Sequence, residues 1–126
     1  HAFAQSAHTP AAGSEERKGI MDAIRQPAEK DLQLKVVFKV DRLRVAGDWA
    51  YARVLPIRPD GGKIDFSKTK YKEDLDLGMF DPQGEALLFM KSSGEWTVLE
   101  WVFGSTDVPS VAWPDKHAGL PKALLQ

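Results

Sequence analysis

The chain has 126 residues, with 17 Lys and Arg against 18 Asp and Glu for a net charge of −1, and no cysteine. At this size roughly two-thirds of the unfolded surface can be buried, so a single domain with its own core is expected. Near-neutral charge excludes a general binder of nucleic acid or acidic membranes, and the missing cysteines exclude disulfide scaffolds, zinc ribbons, iron–sulfur clusters and thiol nucleophiles.

Residues 1–13, HAFAQSAHTPAAG, contain no Asp, Glu, Lys or Arg. They are expected to form a flexible leader, which leaves 14–126 as one α+β domain. Within them Ala2-Phe3-Ala4 before Gln5 has the small-x-small form of a signal-peptidase site, which points to a periplasmic or secreted bacterial protein. No apolar run approaches the ~20 residues that a membrane span needs. Ser14 then reads as an N-cap, with Glu15 and Glu16 suited to the positive end of a helix dipole. Ile20, Met21, Ile24 and Ala28 recur at helical spacing, and Pro27 is expected to limit the helix to about three or four turns.

Strand signals follow. Leu32, Leu34, Val36, Phe38 and Val40 alternate on one face, after which Leu43 and Val45 carry the apolar signal on odd numbers. That change of phase predicts a bulge at Asp41 and Arg42. Gly47-Asp48 fits a type II′ hairpin turn into WAYARVLPI, placing Leu43, Val45, Ala50, Ala52 and Val54 on one face and Arg44, Trp49, Tyr51 and Arg53 on the other. Residues 63–82 lack a clean period and read as a charge-mixed loop anchored by Ile64, Phe66 and Phe80. A second hairpin turns at Ser93-Gly94. With Ser92 opposite Glu95, Ala86, Leu88, Met90, Leu99, Trp101 and Phe103 share one face, and Leu87, Phe89, Lys91, Trp96, Val98, Glu100 and Val102 the other. The Pro-rich C-terminus allows only short helical turns.

This order implies an α+β fold in which an N-terminal helix packs on a bent antiparallel sheet of four to five strands. With GDWAYARV at 47–54 and GEWTVLEWVFG at 94–104, residues 14–104 resemble small exported bacterial members of the cystatin-like and NTF2-like (SnoaL-like) group. The resemblance implies a sheet curved around a cone. The Gln-x-Val-x-Gly loop of cystatin inhibitors is absent here, and no histidine between His8 and His117 could supply the Asp–His pair of dehydratase-type relatives.

Catalytic patterns are also missing: there is no G-x-S-x-G, P-loop or G-x-G-x-x-G. Glu73, Asp74 and Asp76 read as a solvated loop rather than a calcium site, and neither a metal nor a cofactor is implied. Glu100, between Leu99 and Trp101, calls for a cation such as Arg53 or Lys91, or a ligand. The face of Arg44, Trp49, Tyr51 and Arg53 carries the residue types that dominate binding hot spots. The expectation is therefore a non-catalytic binding or interaction module with a protein or small-molecule partner. The alternative is a small-ligand or enzymatic domain whose pocket between helix and sheet is lined by Met21, Ile24, Met90, Glu100, Trp101 and Phe103. Leu87, Phe89, Trp96, Val98 and Val102 would need a cover, either a second copy in a homodimer or Leu120, Leu124 and Leu125 of the C-terminal tail.

Overall fold

A computed structural model describes residues 6–126; His1 and the Ala2-Phe3-Ala4-Gln5 string lie outside the described residues. Helix α1 spans Glu15–Leu32, and the Ser14 hydroxyl accepts the Arg17 N–H at 3.2 Å as its N-cap. The helix runs through Pro27 and is 18 residues long, which corrects the expectation that proline would end it. Pro27 has no N–H to give the Ala23 carbonyl, a loss of about 3 kcal/mol relative to alanine. Continuing the helix brings Ala28 and Leu32, 0% and 3% exposed, onto the face of Ile20 and Ile24, and that burial outweighs the loss. Gln33 closes α1 in the left-handed region at φ 58°, its N–H donating to the Glu29 carbonyl at 2.8 Å.

Four strands follow: β1 (Val37–Ala46), β2 (Trp49–Ile57), β3 (Asp81–Met90) and β4 (Trp96–Gly104). They form one antiparallel sheet in the order β1-β2-β3-β4, which is open rather than closed. The fold is thus α+β, with an N-terminal helix on an antiparallel sheet. β1 starts at Val37, later than the alternation from Leu32 suggests, because Leu32 belongs to the helix and Leu34 is 43% exposed. The bulge expected at Asp41 is present, as the register with β2 shifts between Val40 and Arg42. The hairpin turn is also as expected, with Ala46 opposite Trp49 and Gly47 at φ 60°.

The second hairpin departs from its expected register. Lys91, not Ser92, faces Glu95 across the turn: its N–H donates to the Glu95 carbonyl at 2.8 Å, and Gly94 takes φ 90° in a three-residue loop. One residue of slip exchanges the two faces of β4 near the turn. Trp96 and Val98 therefore pack toward α1, against the core of Ile20, Ile24, Leu43, Val45, Val54 and Leu88. A bulge between the pairs Leu87↔Glu100 and Leu88↔Val98 then restores the expected register, so that Ala86 faces Trp101 as read from sequence. Leu99, expected in the core, is the residue displaced and is 40% exposed.

The remaining segments close the ends. The 63–82 loop carries a one-turn helix α2 (Lys72–Asp76) and packs Phe66, Tyr71 and Phe80 against Phe103, Leu32 and Val36. The C-terminus forms the one-turn helices α3 (Trp113–Lys116) and α4 (Lys122–Leu125), which lay Trp113 and Leu124 on the other sheet face over Ala46, Tyr51 and Leu87. The tail thus lies over Leu87 and Val102 of that face, Trp96 and Val98 turn toward α1, and Phe89 remains 36% exposed.

The leader segment is not free at residue 8. His8 and Val45 exchange both backbone hydrogen bonds at 2.8 Å, and Pro10 is buried. Deleting residues 1–10 is expected to lower the unfolding free energy by about 1–2 kcal/mol, for two lost backbone bonds at the edge of β1. Urea denaturation checks this, and an unchanged midpoint would show that the pairing contributes nothing.

Candidate functional site

The aromatic and arginine face is built as the sequence places it, but the fold has already used most of it. Tyr51 is 5% exposed, its ring edge-on to Trp113 at 6.1 Å, and its hydroxyl donates a hydrogen bond to the Glu85 carboxylate. Burial first, and then the bond to Glu85, push the Tyr51 phenol well above its ordinary range, so it remains a proton donor. Glu85 is 5% exposed and sits opposite Arg53 on β2. The Arg53 guanidinium is held by Asp41 at 3.3 Å and Asp81 at 3.7 Å. Trp49 stands edge-on to Phe89 at 4.9 Å and to His117 at 6.4 Å. Arg44 lies opposite Tyr51 across the β1–β2 pair.

The residues of the alternative pocket do not share one space. Ile24 is fully buried in the core, where Met21 packs beside it. Phe103 belongs to the aromatic cluster under the 63–82 loop. The Trp101 indole fills the interval between helix and sheet: its N–H donates to Asp31 at 3.2 Å, and its ring stacks at 10° on Phe103. It lies so close over Gly84 that a Cβ there would fall 2.3 Å from Cη2. Met90 is at the hairpin end, opposite Trp96.

Glu100 is on the opposite face from Trp101, and its partners are neither Arg53 nor Lys91. It receives His117 Nε2 at 2.7 Å and Lys116 Nζ at 2.9 Å, both from the C-terminal segment. Burial works against ionisation of Glu100, but the bonds from His117 and Lys116 outweigh it and hold the carboxyl below its ordinary range. A carboxyl lowered in the fold contributes stability above its unfolded pKa and loses it as pH falls through the folded value. Acidification below pH 4.5, the ordinary value of this group, is thus expected to loosen the C-terminal segment from β4. The Trp113 indole resonance should shift over that range, and Glu100→Gln should remove this pH-dependent step. An unaltered acid titration in Glu100→Gln would show that another carboxyl controls the segment.

Sequence reasoning missed Asp31 and Tyr71. The Tyr71 hydroxyl donates to the Asp31 carboxylate at 2.8 Å and 2.9 Å, and Lys70 Nζ reaches it at 2.7 Å, so the 63–82 loop is pinned to the end of α1. An acid following a helical apolar face is common, and nothing local marks it as the anchor of a loop 40 residues away.

A groove between helix and sheet was also missed. A groove of about 550 Å³ lies between α1 and β4, walled by Ala23, Gln26, Pro27 and Lys30 on the helix. Trp96, Val98 and Trp101 form its apolar side on β4, with Lys91 and Glu95 at the hairpin end. Ala23 and Pro27, between which the helical N–H is missing, both line it. The register slip that turns Trp96 and Val98 toward α1 is what makes this side apolar. Among the described residues no group of three or more His, Cys, Asp or Glu side chains is placed to hold a metal, and no helix is long and apolar enough to cross a membrane. No family model, curated protein or solved structure matches the chain.

Proposed function

We propose that this domain is a non-catalytic binding module of an exported bacterial protein, built on a cystatin-like or NTF2-like plan of a helix against a curved antiparallel sheet. The observation that carries the reading is the groove of about 550 Å³ between α1 and β4, in which an apolar side meets Lys30, Lys91 and Glu95, charged groups without an ion-pair partner among the described residues. The polar side chains nearest to catalytic chemistry are committed elsewhere: Glu85 to Tyr51, Glu100 to His117 and Lys116, Asp31 to Tyr71, Lys70 and Trp101. Those bonds pin segments to one another, and none of the three carboxylates lines the groove. Export is supported by the Ala2-Phe3-Ala4 string.

The test is a selection of random peptides on the immobilised domain beside Ala23→Trp, which plugs the groove from the helix without breaking it. Enrichment on the parent that is lost on Ala23→Trp is expected, with both proteins equally folded by circular dichroism. Equal enrichment on the two, or none on the parent, would overturn the assignment of the groove.

A further inference from the structure

We infer that the groove takes a short, extended, acidic peptide that adds to β4 as a further strand. This rests on the binding reading above and gives it a partner chemistry. Side chains along a strand alternate between its faces, so a groove lying on one face touches every second residue. This groove is lined by Glu95, Trp96, Thr97, Val98 and Leu99 in an unbroken run. It therefore follows the edge of β4, where the backbone N–H and C=O groups are presented.

That edge is bare. β4 ends the sheet, and among the described residues no backbone bond from another segment reaches it. The opposite edge differs, since Val45 of β1 is bonded on both its backbone groups to His8. An unpaired edge beside an apolar groove is the arrangement that captures extended peptides, with main-chain bonds supplying affinity and alternate side chains entering the groove.

The bulge at Leu99 sets the length. It breaks the register of β4 with β3, so the straight edge is confined to residues 95–98 and accommodates a partner strand of about four or five residues. The same bulge works against two β4 strands pairing along their length, which disfavours a second copy of this chain as the occupant.

Charge sets the composition. Trp96 packs beside Gly19 and Trp101 bonds to Asp31, so α1 and β4 run in the same direction. Lys30 is then at the Trp101 end of the groove and Lys91 at the hairpin end, and neither has an ion-pair partner among the described residues. Glu95 is the carboxylate beside Lys91, so the Lys30 end carries the stronger preference for a partner's acid. An apolar centre flanked by carboxylates complements this layout.

The probes are two blocked pentapeptides, Glu-Thr-Val-Thr-Glu and Lys-Thr-Val-Thr-Lys, which put residues 1, 3 and 5 on one face, and a form of the first N-methylated at every residue. Each is titrated into the full chain and followed by the amide spectrum. The acidic peptide is expected to shift the amides of residues 95–99 in a saturable way and to bind at least about tenfold more tightly than the basic one. The double variant Lys30→Glu, Lys91→Glu should reverse that order, and methylation should abolish binding. Equal affinity for the two peptides, indifference to methylation, or occupation of the β4 edge by a second copy would overturn the inference. If neither peptide binds while the random selection still yields ligands sensitive to Ala23→Trp, strand addition fails and the binding reading stands. If the selection fails as well, both fall.

Discussion

Trp101→Ala is expected to lower the unfolding free energy by about 3–5 kcal/mol, a fall on the order of 10–20 °C in the thermal midpoint. Three losses coincide at this residue. The indole fills the interval between α1 and the sheet, where it packs on Phe38 at 6.5 Å and stacks on Phe103 at 6.0 Å. Gly84 has no side chain to take up the vacated space, because its lack of a Cβ is what admits the ring. The indole N–H also supplies Asp31 with one of its donors, at 3.2 Å. Trp101→Phe separates these terms: it keeps most of the packing and loses the N–H, so it should fall between alanine and the parent. Thermal and urea unfolding of the three proteins check this, and an alanine variant melting within a couple of degrees of the parent would show that Trp101 is not a core residue.

Tyr51→Phe is expected to destabilise by about 2–4 kcal/mol although it removes a single oxygen. Among the described residues the Tyr51 hydroxyl is the one hydrogen-bond donor to the Glu85 side chain, which is 5% exposed. Removing it leaves a buried carboxylate without a donor, and the desolvation cost of that group is then uncompensated. The pairing predicts a sign for the coupling. Glu85→Leu removes the carboxylate and exchanges it for an apolar side chain, so Tyr51→Phe in that background should cost much less than in the parent. The double-mutant cycle should give a coupling of about 1 kcal/mol or more. Strictly additive effects would mean that Glu85 draws its support from elsewhere, Arg53 being the nearest candidate across the β2–β3 pair.

Much of the architecture was legible because it rests on short-range periodicity. Ser14 caps α1, Asp41 marks the bulge in β1, Gly47 turns the first hairpin, and Leu43, Val45, Ala50, Ala52 and Val54 share the helix-facing side of the sheet. Each follows from a preference of neighbouring residues: a hydroxyl for free helix N–H groups, glycine for positive φ, alternation for a half-buried strand. The errors occurred where two local patterns share a residue or differ by one. Leu32 satisfies both the helical repeat ending at Ala28 and the alternation toward Val40, and local pattern alone does not assign it. The turn at Ser93-Gly94 accepts a two-residue or a three-residue loop, and that single residue decides whether Trp96 and Val98 face α1 or the tail.

The candidate site was less legible for the same reason. Arg44, Trp49, Tyr51 and Arg53 do lie on one face, as alternation requires, but alternation cannot say what lands on that face. Trp113 and Leu124, far along the chain, bury Tyr51 there. The groove between α1 and β4 exists because of the register slip in the second hairpin and the passage of α1 through Pro27, each settled by burial summed over the whole core. The sequence by itself determined the α+β class, the hairpins, the first bulge and the residue types available for binding, since these depend on local backbone preference and apolar period. Tertiary structure alone decided the face of Trp96 and Val98, the partners of Glu100 and Asp31, the docking of His8 and the open edge of β4, because each joins segments whose meeting no local pattern encodes and whose energy comes from long-range packing.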